Sequence, residues 1–140
     1  MKGLQQKLEL TQRIVVPSDD RSGDLAMLWK EGTLVIFKSC SNSHIDVEVL
    51  KEDGGSPWRD TGLYGHPDAS MRHNSWDLLK ALHTQAKMLW VVLGDFNEIV
   101  HLDEKLGWRD RDAKQMKVFS ETLSGCELID LGFVGQRYTW

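Results

Sequence analysis

Cysteine is scarce in this chain: Cys40 and Cys126 stand far apart and belong to no C-x-x-C pair. Two isolated thiols argue against a disulfide scaffold and a Cys-rich zinc site, and for buried thiols in a reducing compartment. Long apolar runs are missing as well. The longest, Met88 to Leu93, is too short to span a bilayer. Met1 to Gln12 is polar and lacks the apolar stretch of a signal peptide. No membrane partner is expected, and the expected location is cytoplasmic or nuclear. A surplus of basic charge is also lacking, since 17 Lys and Arg against 21 Asp and Glu leave a net charge of −4. A nucleic-acid binder ordinarily carries a basic footprint, so the total speaks mildly against one. It does not exclude a metal-dependent nuclease, which needs acidic residues at its centre and can hold local basic patches within a negative total.

Several signatures of chemistry are absent too. There is no internal repeat, no low-complexity tract, no G-x-S-x-G and no P-loop. None of the five histidines (His44, His66, His73, His83 and His101) sits in a metal-ligand spacing such as H-E-x-x-H or beside a cysteine. Surface or turn positions are expected for all five, rather than ligands or bases.

What is present is an ordinary globular composition. Of the 140 residues, 41% are hydrophobic and 27% charged, enough for one domain with one core and against disorder. Six Trp predict substantial buried aromatic area. The first half reads as a strand meander. After an irregular lead-in or weak helix over Lys2 to Gln12, strands are expected at Arg13 to Val16, Leu25 to Lys30 and Thr33 to Cys40. Loops are expected at Ser18 to Asp24 and Asp53 to Pro57. His44 to Leu50 alternates, with Ile45, Val47 and Val49 on one face and Asp46 and Glu48 on the other, the pattern of a half-buried strand. Trp58 to Tyr64 continues extended.

The second half changes character. Trp76, Leu79, Leu82 and Ala86 recur at helical spacing, with Ser75 as the expected N-cap. Trp90 to Leu93, ended by Gly94, has the look of a central strand buried on both faces. A charged loop follows from Asp95 to Arg111. Met116, Phe119, Leu123 and Cys126 mark a second helix ending near Gly125. Strands or strand starts are expected at Leu128 to Leu131 and Tyr138 to Trp140. The sum is an α/β protein in layers.

Two segments could carry chemistry. In Gly94-Asp95-Phe96-Asn97, continued extended geometry points Asp95 and Asn97 the same way and Phe96 back into the core. That sets two polar groups at the carboxyl end of a strand, where open α/β sheets commonly place their sites. Asp95 could orient or deprotonate a water, and Asn97 could donate to a phosphate oxygen. The plainer alternative is a loop cap at Asp95 and an Asx-turn at Asn97. In Thr61-Gly62-Leu63-Tyr64-Gly65-His66-Pro67, Tyr64 could present its hydroxyl to a phosphate, or simply pack at an edge. Arg72 could pair with a phosphate through its planar fork, or stand solvated before a helix.

In this order, the segments Arg21 to Trp29, Ser43 to Asp46, Trp58 to Pro67, Leu93 to Ile99, Glu104 to Gly107, Asp130 to Phe133 and Tyr138 to Trp140 resemble the endonuclease/exonuclease/phosphatase family. The closest likeness is to the endonuclease region of plant non-LTR (LINE-type) retrotransposons. The resemblance covers nearly the whole chain and is most specific in GDFNEI, in the upstream Trp-Arg-x-Thr-Gly-x-Tyr-Gly and in the terminal Tyr-Thr-Trp. It implies a DNase I-like four-layer α/β sandwich, two packed sheets flanked by helices. It also implies a Mg²⁺-dependent hydrolase acting on DNA. In that scheme Asp95 serves the attacking water, Asn97 and Tyr64 hold the phosphate, and Trp140 lies near the nucleic-acid side of the site; Arg72 joins Trp140 as a candidate substrate-binding residue on its own chemistry. Mg²⁺ neutralises phosphate charge and eases the leaving group.

The departures from the family pattern are specific. The early strand Asn and the Glu that serves as principal metal ligand are not found upstream of Arg13, Glu9 lying in the wrong context. No His follows a Ser-Asp, so the closing Ser-Asp-His motif is missing. Tyr64-Gly65-His66-Pro67-Asp68 stands where many relatives have Tyr-x-Pro-Asn, and Gly23-Asp24 where Gly-Gly is more usual. Losing one acid/base group typically costs about 10²–10⁴ in rate. The expectation is therefore one incomplete domain over residues 1–140, with little or no activity. A non-catalytic remnant with residual nucleic-acid or partner binding is the first alternative, and a phosphatase of the same family the second. The metal ligands and the oligomeric state stay open.

Overall fold

A computed structural model describes residues 12–17, 24–85, 87–98 and 113–131. They form strands β1 (Gln12–Val16), β2 (Leu25–Trp29), β3 (Leu34–Ser41), β4 (His44–Leu50), β5 (Trp58–Tyr64) and β6 (Trp90–Asp95), with helices α1 (Arg72–Gln85) and α2 (Ala113–Gly125). Among the described residues this is mixed α/β structure with two sheets, β1-β2 and β3-β4-β5-β6. No described helix is long and apolar enough to cross a membrane. The chain divides into two compact units, Met1–Tyr64 with Met88–Asp95, and Gly65–Lys87 with Phe96–Trp140.

The first unit holds both sheets. β3, β4 and β5 run as an antiparallel meander, and β6 adds in parallel to β5. The core lies between the sheets, where Val16 of β1 packs with Ile45, Val47 and Val49 of β4, and Ile14, Leu25, Met27, Val35 and Trp58 close around them. The alternation read in β4 is real, but its polar face is not solvated: Asp46 is 1% exposed. Arg59 and Thr61 on β5 neutralise and hydrogen-bond it, which is what allows a carboxylate there. His44 is buried as well, a correction to the expected surface position. Its ring nitrogens meet the Ser39 and Ser41 hydroxyls at 3.0 and 2.6 Å. Burial lowers its pKa; nearby Asp46 opposes that shift and Arg59 adds to it.

Among the described residues β6 stands last in the strand order and Leu93 is 60% exposed, so the expected burial on both faces is not seen there. A short apolar run reports what a segment can bury, not which neighbours are there to bury it. Cys126 is buried and Cys40 exposed, both as free thiols.

In the second unit α1 begins at Arg72, three residues before the expected cap. Asp68 caps a short 3₁₀ turn (Ala69–Met71) that runs straight into the helix, its carboxylate accepting from Ser70 N. Ser75 is thus already helical, and its hydroxyl accepts from His66 N at 3.0 Å. The apolar face of α1 buries Trp76, Leu79 and Leu82, and Trp76 stacks on Phe119 of α2 with centroids 4.6 Å apart. Ala86, the segments 1–11 and 18–23, and most of the acidic loop lie outside the described residues.

The expected strand at Leu128 to Leu131 is absent; residues 128–131 carry no regular structure. α2 instead ends in a Schellman motif. Leu128 N bonds Leu123 O, Glu127 N bonds Ser124 O, and Glu127 takes φ +57°. The sequence points to Gly125, but the left-handed position falls on a glutamate, which carries a Cβ penalty there. Glu127→Gly is expected to stabilise the protein by about 0.5–1 kcal/mol, measured as a higher urea midpoint. An unchanged or lower midpoint would contradict the left-handed cap.

Candidate active site

The parallel register of β5 and β6 is set by backbone contact. It pairs Leu63 with Gly94 and Tyr64 with Asp95. Gly94 has φ +149°, and a Cβ there would overlap the Leu63 carbonyl. Only glycine permits so close an approach of the two strands. Register partners on adjacent strands point to the same side of a sheet. Tyr64, half-buried, and Asp95, exposed, therefore project together from the carboxyl ends of neighbouring strands. Strand spacing puts their Cα atoms roughly 5 Å apart.

On the opposite face of β4, β5 and β6 lies a buried network that sequence reading missed. Asp46 accepts from Arg59 Nε at 2.8 Å, from Arg59 Nη2 at 2.8 Å and from Thr61 Oγ1 at 2.6 Å. Thr61 Oγ1 in turn accepts from Trp90 Nε1 at 2.8 Å, and the Arg59 guanidinium lies 5.1 Å from the centre of the Trp90 ring. The signal was available in part: Asp46 pairs with Thr61, and Arg59 is its diagonal neighbour across an antiparallel pair. What pairing alone did not give was the burial.

In the second unit the chain resumes at Gly65 and again at Phe96. A Cβ on Gly65 would overlap the Phe96 backbone. Asn97 Nδ2 donates to Gly65 O at 2.6 Å. Asn97 has φ +55°, so the extended geometry assumed through Asp95-Phe96-Asn97 does not continue. Its amide holds the main chain at Gly65, distant in sequence, a bond that neither the phosphate-donor reading nor the Asx-turn supplies. Phe96 packs on Phe119, centroids 5.6 Å apart.

Arg72 is buried, not solvated. It donates to His66 O at 3.0 Å, Pro67 O at 2.9 Å and Glu98 Oε2 at 3.1 Å. It therefore acts as a clamp on the 66–67 turn and on the segment after Asn97. Hydrogen bonds from Ser70, side chain first and then backbone, hold the Asp68 carboxyl below the usual range. Trp140 lies outside the described residues.

Of the named residues, the fold sets Tyr64 beside Asp95 in one unit, and Asn97 with Gly65 and Arg72 with Glu98 in the other. An exposed carboxylate beside a phenol can orient a water and donate to an anionic oxygen. It does not by itself fit a Mg²⁺ site, which ordinarily needs one or two carboxylates together with substrate phosphates and waters. Among the described residues no group of three or more His, Cys, Asp or Glu is placed to hold a metal. No family model matches the chain, and no curated protein matches it significantly.

Proposed function

We propose that this chain carries part of a phosphodiesterase of the endonuclease/exonuclease/phosphatase type, built on a DNase I-like sandwich. Within that class, we read it as the DNA endonuclease region of a LINE-type retrotransposon. The observation that carries the reading is the Tyr64–Asp95 register pair at the carboxyl ends of parallel strands, enforced by Gly94. Two motifs distant in sequence, each resembling a phosphate-handling motif of that family, are neighbours in the sheet. Asp95 serves the attacking water, and Tyr64 donates to the phosphate. Asn97 and Arg72 act at one remove, holding the turn that follows Tyr64. DNA is the proposed partner.

Among the described residues Asp95 is the carboxylate at these strand ends. Plasmid nicking with Mg²⁺ tests its role. The expected result is slow nicking that falls by about 10²-fold or more in Asp95→Ala. Equal rates in the two proteins would remove Asp95 from the chemistry and leave the remnant reading, in which the domain at most binds. Turnover of a soluble phosphomonoester without nicking of DNA would favour the phosphatase reading.

A further inference from the structure

β5 lies between β4 and β6, and its side chains alternate between faces. Arg59, Thr61 and Leu63 take one face; Trp58, Asp60, Gly62 and Tyr64 take the other. The second face is the one covered by the β1-β2 sheet. Trp58 packs against the core cluster, and a Cβ on Gly62 would lie 3.8 Å from Met27 Cε and 3.9 Å from Leu25 Cδ1. Asp60 therefore lies half-buried on the covered face, with its Oδ1 turned into the interior. Its register neighbours are Val47 on β4 and Val91 on β6. Its Oδ1 is buried and has no hydrogen-bond partner among the described residues.

We propose that Asp60 is a protonation switch built into the inter-sheet core: the two-sheet unit is most stable with this carboxyl neutral and loosens as it ionises. Among the described residues no cation faces the buried Oδ1. The inward positions of β1, β2 and β4 are apolar apart from Gln12 at the start of β1, and the titratable groups on this face of β5 and β6 are Tyr64 and Asp95, four register positions away at the strand ends. The adjacent cation, Arg59, points to the opposite face and is bound to Asp46. A neutral carboxyl needs one modest hydrogen bond or none, whereas an ionised one without a partner is far more costly to bury. Burial first, and the Asp46 charge second, raise the Asp60 pKa above the ordinary aspartate range.

The sign follows by linkage. A carboxyl whose pKa is higher folded than unfolded takes up a proton on folding. Its stabilisation is fully present below the unfolded value and is lost as pH rises through the raised folded value. His44, with its lowered pKa, works the other way: its contribution is present above the ordinary histidine range and is lost as pH falls through the folded value. The two groups act in opposite senses across acidic pH, so only differences from wild type isolate the Asp60 contribution.

The test is thermal unfolding of the full chain from pH 4 to 8 for wild type, Asp60→Asn and Asp60→Leu. Both variants are expected to melt above wild type at pH 8, by several degrees, with the gap closing as pH falls and wild-type Asp60 becomes neutral. Taking differences from wild type cancels the His44 contribution. Two results overturn the proposal: a gap that does not change with pH, or variants that both melt below wild type at pH 8. If Asp60→Asn alone fails to fold, Asp60→Leu decides by the same criterion.

Discussion

Replacing Arg59 with alanine is expected to destabilise the protein by about 3–5 kcal/mol, the largest loss foreseen for any polar side chain here. That is a large part of what a marginally stable domain has. The reason lies in what remains. Asp46 is 1% exposed and accepts charge-assisted bonds from three donor atoms, Arg59 Nε and Nη2 and Thr61 Oγ1. Without the guanidinium a carboxylate stays in the interior with one hydroxyl to serve it. Trp90 also loses the cation over its ring, worth about 0.5–1 kcal/mol or more when desolvated. Arg59→Lys should fall between, since an ammonium keeps the charge but cannot match the fork.

The double variant Asp46→Leu with Arg59→Met separates breaking the pair from replacing it. Buried ion pairs often give way to apolar residues of similar volume at little cost. The double variant should therefore lose much less than the sum of the single changes, with a coupling of about 2 kcal/mol or more in a urea-denaturation cycle. Part of the loss will persist, because Thr61 still receives the Trp90 indole and has lost its own acceptor. A single Arg59→Ala loss below about 1 kcal/mol, the range of an exposed pair, would show that the pair is solvated in solution.

How legible all this was in the sequence depends on which physical signal each feature leaves. β4 sits at the expected bounds because alternation over seven residues is a strong local pattern, and β5 at the bounds of the extended segment read after the Asp53 to Pro57 turn. The α2 face of Met116, Phe119, Leu123 and Cys126 was legible for the same reason at helical spacing. The start of α1 was misplaced because Ser75 looked like a cap, while Asp68, one 3₁₀ turn earlier, did the capping. The burial of β6 was not legible, because it depends on neighbours that a short apolar run cannot name. The Tyr64–Asp95 pairing was legible only through two motifs far apart in the chain; their juxtaposition needed the parallel register. Asp60 left no signal, since an aspartate in a strand of mixed character reads as a solvent-facing residue until the second sheet is in place.

Gly94→Ala should uncouple the candidate site from an otherwise intact fold, at a cost of about 3 kcal/mol or more. Two terms combine. The φ of +149° is strained for any residue with a Cβ, at about 1–3 kcal/mol. The added Cβ would also overlap the Leu63 carbonyl, which is backbone in the middle of the sheet and cannot move aside. The cheapest relief is for β6 to part from β5 at its carboxyl end, where Tyr64 and Asp95 are paired. Gly62→Ala is the control, on the same strand pair, with its nearest contacts at 3.8 to 4.0 Å. It should be nearly neutral. Hydrogen exchange locates the effect: in Gly94→Ala protection should fall at β6 amides and at Tyr64, while the β3–β4 amides fall only by the global loss. Any nicking activity should disappear with it, although Asp95 is untouched, because the carboxylate and the phenol then no longer share one edge. Should Gly94→Ala and Gly62→Ala give the same midpoint and the same exchange pattern, the close approach of the strands is not present in solution, and the juxtaposition of Tyr64 with Asp95 falls with it.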